Sequence, residues 1–228
     1  MFDNLCTWFS EHELQLTRGM NKVDKRILRL QPKPKYFDFC VSRPFIKWEN
    51  QQLLEFTQGA LHRDWPALEL ASLAYLEAEK RTRGNIFPKV SSEFDKAGIQ
   101  PIRWLNKARD AIRGVSSSFE RPSAGMASVY YILLGGYSKQ SGFYGCYVGQ
   151  TASTNLEGYA DRVTKRAAQH FTGIHAGRGL AERGVEPLWS LNCFTESLKA
   201  KDIKSKETAC SLALNSVSIK TKGDIQEG

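Results

Sequence analysis

The sequence is poor in the features that mark membrane-spanning and secreted proteins. It contains no apolar run of about 18 or more residues, the length that a membrane-spanning helix needs. Its first residues include Asp3, Glu11 and Glu13, where a signal peptide would carry a basic segment before an apolar one. We therefore expect a soluble, cytoplasmic protein.

Cysteine and histidine are also scarce and badly spaced for a structural metal site. The five cysteines are Cys6, Cys40, Cys146, Cys193 and Cys210. They are odd in number and form no Cys-x-x-Cys pair, which argues for reduced thiols and against a zinc ribbon or a disulfide framework. His170 and His175 lie close together, but no second pair of ligands has the spacing of a zinc site.

Acidic residues are outnumbered, and this is the first indication of a partner. The chain carries 32 lysines and arginines against 24 acidic residues, a formal net charge of +8. Such a balance favours a polyanion, because lysine and arginine contacts to phosphates release counterions. The alternative is a basic protein whose charges are simply solvated.

The first half of the chain has the pattern of helices separated by breaking residues. The predicted helices are Asn50–Gln58, a helix that is capped by Asp64 and ends near Gly84, Ser91–Ala97 and Pro101–Arg113. The serines, prolines and glycine after Arg113 are typical of a linker. We predict a mainly helical substrate-binding domain at 1–114, a linker at 115–126 and a second domain at 127–228.

The last two of these helices could form a DNA-binding motif. Gly98 would make the tight turn of a helix-turn-helix, whose second helix enters a major groove. The basic residues of that second helix are Arg103, Lys107, Arg109 and Arg113. The alternative is an ordinary amphipathic helical hairpin with a solvated basic face.

The second half opens with the pattern of a β-hairpin. Val129–Leu134 and Phe143–Val148 are rich in β-branched, aromatic and aliphatic residues, and a glycine- and serine-rich stretch separates them. Gly149 ends the second predicted strand, where a residue without a side chain lets another backbone or a phosphate come close.

Two tripeptides on these strands resemble the signature of the GIY-YIG nuclease superfamily. Ser128-Val129-Tyr130 stands where Gly-Ile-Tyr is usual, and Tyr147-Val148-Gly149 matches Tyr-Ile-Gly. A predicted helix Asp161–Phe171 and a predicted helix Glu207–Leu214 follow in the order of the family. The resemblance covers roughly residues 127 to 218, and the residues that carry it are Tyr130, Tyr147, Arg166, His170, Glu207 and Asn215.

The resemblance implies a role for each residue on the two strands and the first helix. Tyr130 would be the general base or position the water, and Tyr147 would orient the nucleophile or the phosphate. Arg166 and His170 are four residues apart, hence on one face of a helix. Arg166 would clamp the phosphate and His170 would share the proton transfer. Without the resemblance, packed tyrosines and a solvated Arg–His pair would explain the same residues.

The last helix would supply the metal ligand. Glu207 is implied to bind one hard divalent cation, Mg²⁺ or Mn²⁺, whose other positions water and phosphate oxygens would fill. Asn215 is the remaining family residue. The alternative for Glu207 is an acidic residue that favours its helix N-terminus.

These patterns together predict an α/β (α+β) protein. Its C-terminal GIY-YIG domain would hold a small three-stranded antiparallel sheet, with Pro187–Phe194 as third strand, flanked by helices. The predicted activity is metal-dependent, restriction-like cleavage of duplex DNA at specific sites in the cell interior, near the nucleoid. A double-strand cutter needs two active sites, hence a homodimer or sequential nicking. The predicted nucleic-acid contacts are Arg103, Lys107, Arg113, Lys165, Lys204 and Lys206.

Two alternatives remain open at this point. One is a structure-specific nuclease of repair, recombination or RNA processing. The other is a nucleic-acid-binding protein whose nuclease fold is inactive.

Overall fold

The computed structural model describes residues 33–34, 37–63, 66–121, 127–152, 159–171 and 180–222. Within these ranges the first half of the chain forms the helices α1 (Asn50–Leu61), α2 (Leu68–Glu79), α3 (Ile86–Ala97) and α4 (Leu105–Ser116). The strands of the second half are β1 (Ala127–Leu134), β2 (Gly145–Ala152), β3 (Gly184–Pro187) and β4 (Thr221–Lys222). Its helices are α5 (Tyr159–Phe171), α6 (Leu180–Arg183), α7 (Trp189–Asn192) and α8 (Ile203–Ser216). The predicted α+β class is confirmed.

The sheet is mixed and has four strands in the order β3-β1-β2-β4. The predicted hairpin is present, with β1 antiparallel to β2, and β3 lies antiparallel on the other side of β1. The prediction of a three-stranded antiparallel sheet was wrong in one strand, because β4 adds to β2 in parallel. All eight residues of β1 are buried, as expected for a central strand with helices on both faces.

The third strand is shorter and earlier than the predicted Pro187–Phe194. It ends at Pro187, and the chain turns directly into α7. The reason is a long-range contact: the Glu69 carboxylate accepts hydrogen bonds from the backbone N–H groups of Trp189 and Ser190, at 2.9 and 2.8 Å. These are the donors that a helix N-terminus leaves open, so a carboxylate from α2 stabilises a helix where the local sequence favours a strand.

A matching pair of hydrogen bonds joins a glutamate of the sheet to the first residues of α2. The Glu186 carboxylate on β3 accepts hydrogen bonds from the backbone N–H groups of Leu68, at 3.2 Å, and Glu69, at the start of α2. Both glutamates are almost fully buried. We call this arrangement the glutamate exchange. It connects the helical half to the sheet, and one hydrophobic core includes residues of both halves.

The basic helix α4 differs from its prediction. It begins at Leu105, so Arg103 precedes it, and Gly98 adopts the left-handed conformation expected of a turn after α3. Arg109 does not lie on a solvated face. It is 1% exposed and donates hydrogen bonds to the carbonyl oxygens of Phe39, Val41 and Ser42. A guanidinium can be buried where both of its terminal nitrogens have acceptors, as here.

Several predictions are seen only in part. The helix predicted from Asp64 is α2, but Asp64 itself lies outside the described residues, as do residues 1–32 and 122–126. The domain boundary at 115–126 therefore stays a prediction, although α4 extends into it as far as Ser116. No helix in the described ranges is long and apolar enough to cross a membrane.

Candidate active site

The candidate site begins with two tyrosines on neighbouring strands. Tyr130 on β1 stands opposite Gly149 on β2, and Tyr147 lies two residues before that glycine on the same strand. The two rings are tilted, with their centroids 6.1 Å apart. Because side chains alternate along a strand, Tyr147 and Gly149 share one face of the sheet with Tyr130.

Gly149 makes this arrangement sterically possible. A Cβ atom added there would lie 2.6 Å from both Cζ and Oη of Tyr130 and 2.7 Å from Cε1 of Tyr147. These distances are well inside van der Waals contact, so any side chain would push the two rings apart. The sequence predicted close approach at Gly149 by a backbone or phosphate, and the structure shows the two tyrosine rings there.

His170 on α5 completes a cluster with the two tyrosines. Its Nε2 lies 2.6 Å from the Tyr130 hydroxyl in a buried hydrogen bond. Its ring also packs edge-on against Tyr147, with centroids 5.5 Å apart. We call Tyr130, Tyr147 and His170 the tyrosine–histidine cluster. Tyr130 and His170 are 40 positions apart in the chain and meet because α5 packs against β1 and β2.

Arg166 lies one turn before His170 and reaches the same hydroxyl. Burial, followed by the neighbouring Tyr147, raises the pKa of Tyr130 well above its usual value, and the Arg166 guanidinium opposes this rise through a hydrogen bond and its charge. Tyr130 is therefore a neutral phenol at physiological pH. Arg166 is half-buried, and its Nη1 donates to Oε1 of Gln169 at 3.0 Å.

Gln169 is a residue that the sequence interpretation missed. Its amide oxygen fixes one nitrogen of the Arg166 guanidinium, and its position three residues further along a helix could have indicated this contact.

Tyr131 provides an internal comparison. It is fully buried, and its hydroxyl contacts Cys210 on α8, on the opposite side of the sheet from His170. Tyr130 and Tyr131 point to opposite faces of the sheet because side chains alternate along a strand. Of the two adjacent tyrosines, Tyr130 belongs to the tyrosine–histidine cluster and Tyr131 does not.

Glu207 comes from α8, whose Cys210 contacts Tyr131, so this helix and the tyrosine–histidine cluster lie on opposite faces of the sheet. Glu207 is buried on α8, the helix that packs against β1 and β2, one turn before Cys210. The predicted helix start at Glu207 was wrong, because α8 begins four residues earlier at Ile203. Glu207 therefore lies in the second turn, and its presence is not explained as an acidic residue at a helix N-terminus.

The donor set at Glu207 fits one kind of metal and not another. Among the described residues no group of three or more histidine, cysteine, aspartate and glutamate side chains could hold a metal ion. A structural zinc ion needs four protein ligands. Mg²⁺ keeps several waters and binds through one or two carboxylates together with substrate phosphates, so a single glutamate is sufficient for it.

The remaining residue of the predicted site, Asn215, lies near the end of α8. It is exposed, and its Oδ1 accepts a hydrogen bond from the Thr221 hydroxyl at 2.9 Å, which ties α8 to β4. At eight residues from Glu207, it lies about 12 Å further along the helix axis. The structure thus shows Asn215 in a structural contact away from the Glu207 end of α8.

The six predicted nucleic-acid contacts differ in exposure and in the contacts that they make. Lys107, Lys165 and Lys204 are exposed on α4, α5 and α8. Arg113 lies 5.1 Å over the Phe194 ring and pairs with Asp110. These four side chains all reach the surface of the described part of the chain.

The other two predicted contacts make intramolecular hydrogen bonds. Arg103 donates to the Tyr75 hydroxyl at 2.8 Å, so its guanidinium faces α2. Lys206 donates to the carbonyl oxygens of Lys199 and Lys201, at 3.1 and 3.3 Å. Lys204 is therefore better placed than Lys206 to contact a phosphate.

Comparison with known proteins identifies no relative. No protein-family model, no curated protein and no solved structure shows a significant match to the chain, so the function must be inferred from the geometry of the site.

Proposed function

We propose that the chain is a metal-dependent nuclease of the GIY-YIG type that hydrolyses phosphodiester bonds in DNA. One observation carries the proposal: the 2.6 Å contact between the Tyr130 hydroxyl and His170 Nε2, with Arg166 beside it. A neutral phenol hydrogen-bonded to an imidazole and next to a guanidinium combines a proton carrier with a phosphate ligand in one place.

The tyrosine–histidine cluster can move a proton without forming a free phenolate. Because burial holds Tyr130 neutral, it can take a proton from an attacking water only as it passes its own proton to His170 Nε2. The imidazole accepts protons near neutral pH, so the positive charge ends on His170.

Arg166 supplies the charge that phosphoryl transfer requires. Its guanidinium is half-buried on the helix face that carries His170 and hydrogen-bonds both Gln169 and the Tyr130 hydroxyl, and its remaining N–H groups would bind a phosphate. A positioned cation next to the developing charge stabilises the transition state more than the ground state. Tyr147 packs against both Tyr130 and His170 and limits their motion.

The divalent cation is the part of the proposal that rests on the resemblance alone, because Glu207 lies on α8, which packs on the face of the sheet opposite the tyrosine–histidine cluster. Mg²⁺ or Mn²⁺ held by this carboxylate would stabilise the leaving oxygen. The net charge of +8 and the exposed Lys107, Lys165 and Lys204 support a polyanionic substrate. We propose that the substrate is duplex DNA inside the cell. A homodimer, or sequential nicking, would cut it at specific sites.

Two alternatives use the same surface. A structure-specific or RNA-processing nuclease would share the chemistry and differ in substrate, whereas an inactive nucleic-acid-binding protein would keep the fold alone. The retained tyrosine–histidine cluster favours the active forms, since a binding protein has no need of a buried hydrogen bond between a tyrosine and a histidine.

The experiment is cleavage of long duplex DNA, single-stranded DNA and structured RNA, each with Mg²⁺ and with chelator. Tyr130→Phe removes the reacting hydroxyl and should lower turnover by about 10² or more. Tyr131→Phe removes a buried hydroxyl from the opposite face and should keep wild-type turnover. Equal activity of the two variants would exclude the proposed role of Tyr130.

Glu207→Gln tests the metal role. It should abolish cleavage and keep DNA binding, because the amide retains the shape of the side chain but not its charge. A wild-type protein that binds nucleic acid and cleaves none of the three substrates would support the inactive binding protein instead.

A further inference from the structure

A pair of cysteines lies outside the candidate active site, where the segment before α1 meets α7. Cys40 is exposed and Cys193 is buried at the end of α7, and neither forms a disulfide. The two thiols are within hydrogen-bonding reach of each other. They belong to opposite halves of the chain, so their contact exists only in the folded protein.

Two further contacts fix the backbone near the thiols: one holds the Cys40 segment against α4, and the other joins that segment to the residues after α7. Arg109 binds the carbonyl oxygens of Phe39 and Val41, which directly flank Cys40. On the other side, the Lys33 ammonium lies 3.4 Å from the carboxylate of Glu196, three residues after Cys193. The backbone on both sides of the thiol pair is therefore fixed, and the proximity of the two sulfurs does not depend on a freely moving loop.

We propose that Cys40 and Cys193 form a reversible disulfide when the protein meets a peroxide. This would be a redox modification site independent of the proposed nuclease chemistry. Cys40 is the residue that a small oxidant in solution can reach, and Cys193 is positioned behind it to complete the bond.

The reaction balances with hydrogen peroxide as the oxidant. The Cys40 thiolate attacks one peroxide oxygen, the O–O bond breaks, and hydroxide leaves and is protonated to water, giving a sulfenic acid on Cys40. The Cys193 sulfur then attacks the Cys40 sulfur, the S–O bond breaks, and a second water leaves with the Cys193 proton. Two thiols are oxidised and one peroxide is reduced to two waters.

The surroundings assign the two roles. The hydrogen bond from Cys193 lowers the pKa of Cys40 below its usual value, so more of Cys40 is the reactive thiolate. The same contact, together with burial, raises the pKa of Cys193, which stays a thiol until the second step. The other described pair, Cys146 and Cys210, is buried in the core, and burial raises both pKa values.

The test is mild treatment of the full chain with hydrogen peroxide, followed by thiol titration in denaturant and mapping of a non-reduced digest. We expect the five thiols to fall by two, and a peptide pair that joins Cys40 to Cys193 and separates with dithiothreitol. The bond closes a long loop, so Tm should rise by roughly 5 to 15 °C.

Two variants make the result decisive. Cys40→Ser replaces an exposed residue; after peroxide treatment this variant should keep its remaining thiols and show no rise in Tm. Cys6→Ser should form the same linked peptide as the wild type. A disulfide between Cys40 and Cys6, a link between two chains, or oxidation of Cys40 to a sulfinic acid without any link would overturn the proposal.

Discussion

Replacing Gly149 by alanine tests the geometry of the candidate site with one methyl group. That methyl would lie 2.6 Å from the Tyr130 hydroxyl oxygen and 2.7 Å from the Tyr147 ring, where contact distances are normally 3.4 Å or more. Both rings belong to the packed centre of the molecule. Overpacking of this kind costs about 1 to 3 kcal/mol in the free energy of unfolding.

The effect on the site should exceed the effect on stability. To make room, Tyr130 must move away from β2 by close to 1 Å, and a 2.6 Å hydrogen bond to His170 cannot survive such a shift unchanged. A misplacement of about this size lowers turnover by roughly 10²-fold in enzymes. Urea unfolding and the DNA cleavage assay measure the two effects separately.

Gly59→Ala is the matched control. Gly59 is exposed within α1, and an added Cβ atom meets nothing within 4 Å. Alanine there should stabilise the helix by about 0.5 to 1 kcal/mol and leave cleavage unchanged. If Gly149→Ala were as stable and as active as Gly59→Ala, the tight approach of the two tyrosines to the backbone would be refuted.

Three further predictions concern the rest of the molecule. Burial raises the pKa of Glu69 to about 7 and that of Glu186 to about 8, from 4.5. Above pH 4.5 the folded protein therefore keeps protons that the unfolded chain releases, and the free energy of unfolding should fall as the pH rises to 8. Urea unfolding should show this fall, and it should be less steep in Glu186→Gln. A steady or rising stability across that range would contradict the raised pKa values. Arg109→Met removes the buried donor of three carbonyl groups and should cost about 3 to 5 kcal/mol, against about 0.5 or less for the exposed Arg113→Met. Equal losses in urea unfolding would show that burial of Arg109 does not matter. Lys204→Ala should weaken binding to all DNA sequences alike and reduce the slope of log K against log salt by about 1, and a sequence-dependent loss in a binding titration would show a base contact instead.

The parts of the structure that follow from local patterns could be predicted from the sequence. The β1–β2 pair follows from two apolar runs around a glycine-rich turn, and the opposite directions of Tyr130 and Tyr131 follow from alternation along a strand. The placement of His170 one turn after Arg166 follows from the helical repeat. These local rules bring the tyrosine–histidine cluster within reach of prediction.

The parts that depend on contacts distant in sequence could not be predicted. The helix α7 forms in a segment that favours a strand because Glu69, 120 positions earlier, binds its first N–H groups. Arg109 has the sequence context of a solvated residue and is buried because carbonyl groups of a distant segment meet it. Neither contact leaves a periodic signal in the sequence.

The glutamate exchange has a consequence for dividing the protein. Each half supplies the carboxylate that closes the first turn of a helix in the other, so a cut between Ser116 and Ala127 removes four hydrogen bonds at once. Separate expression of either half would leave backbone donors and apolar surface exposed to water. The molecule should therefore lose its structure in a single cooperative transition, and a fragment that starts at the sheet is a poor substitute for the full chain.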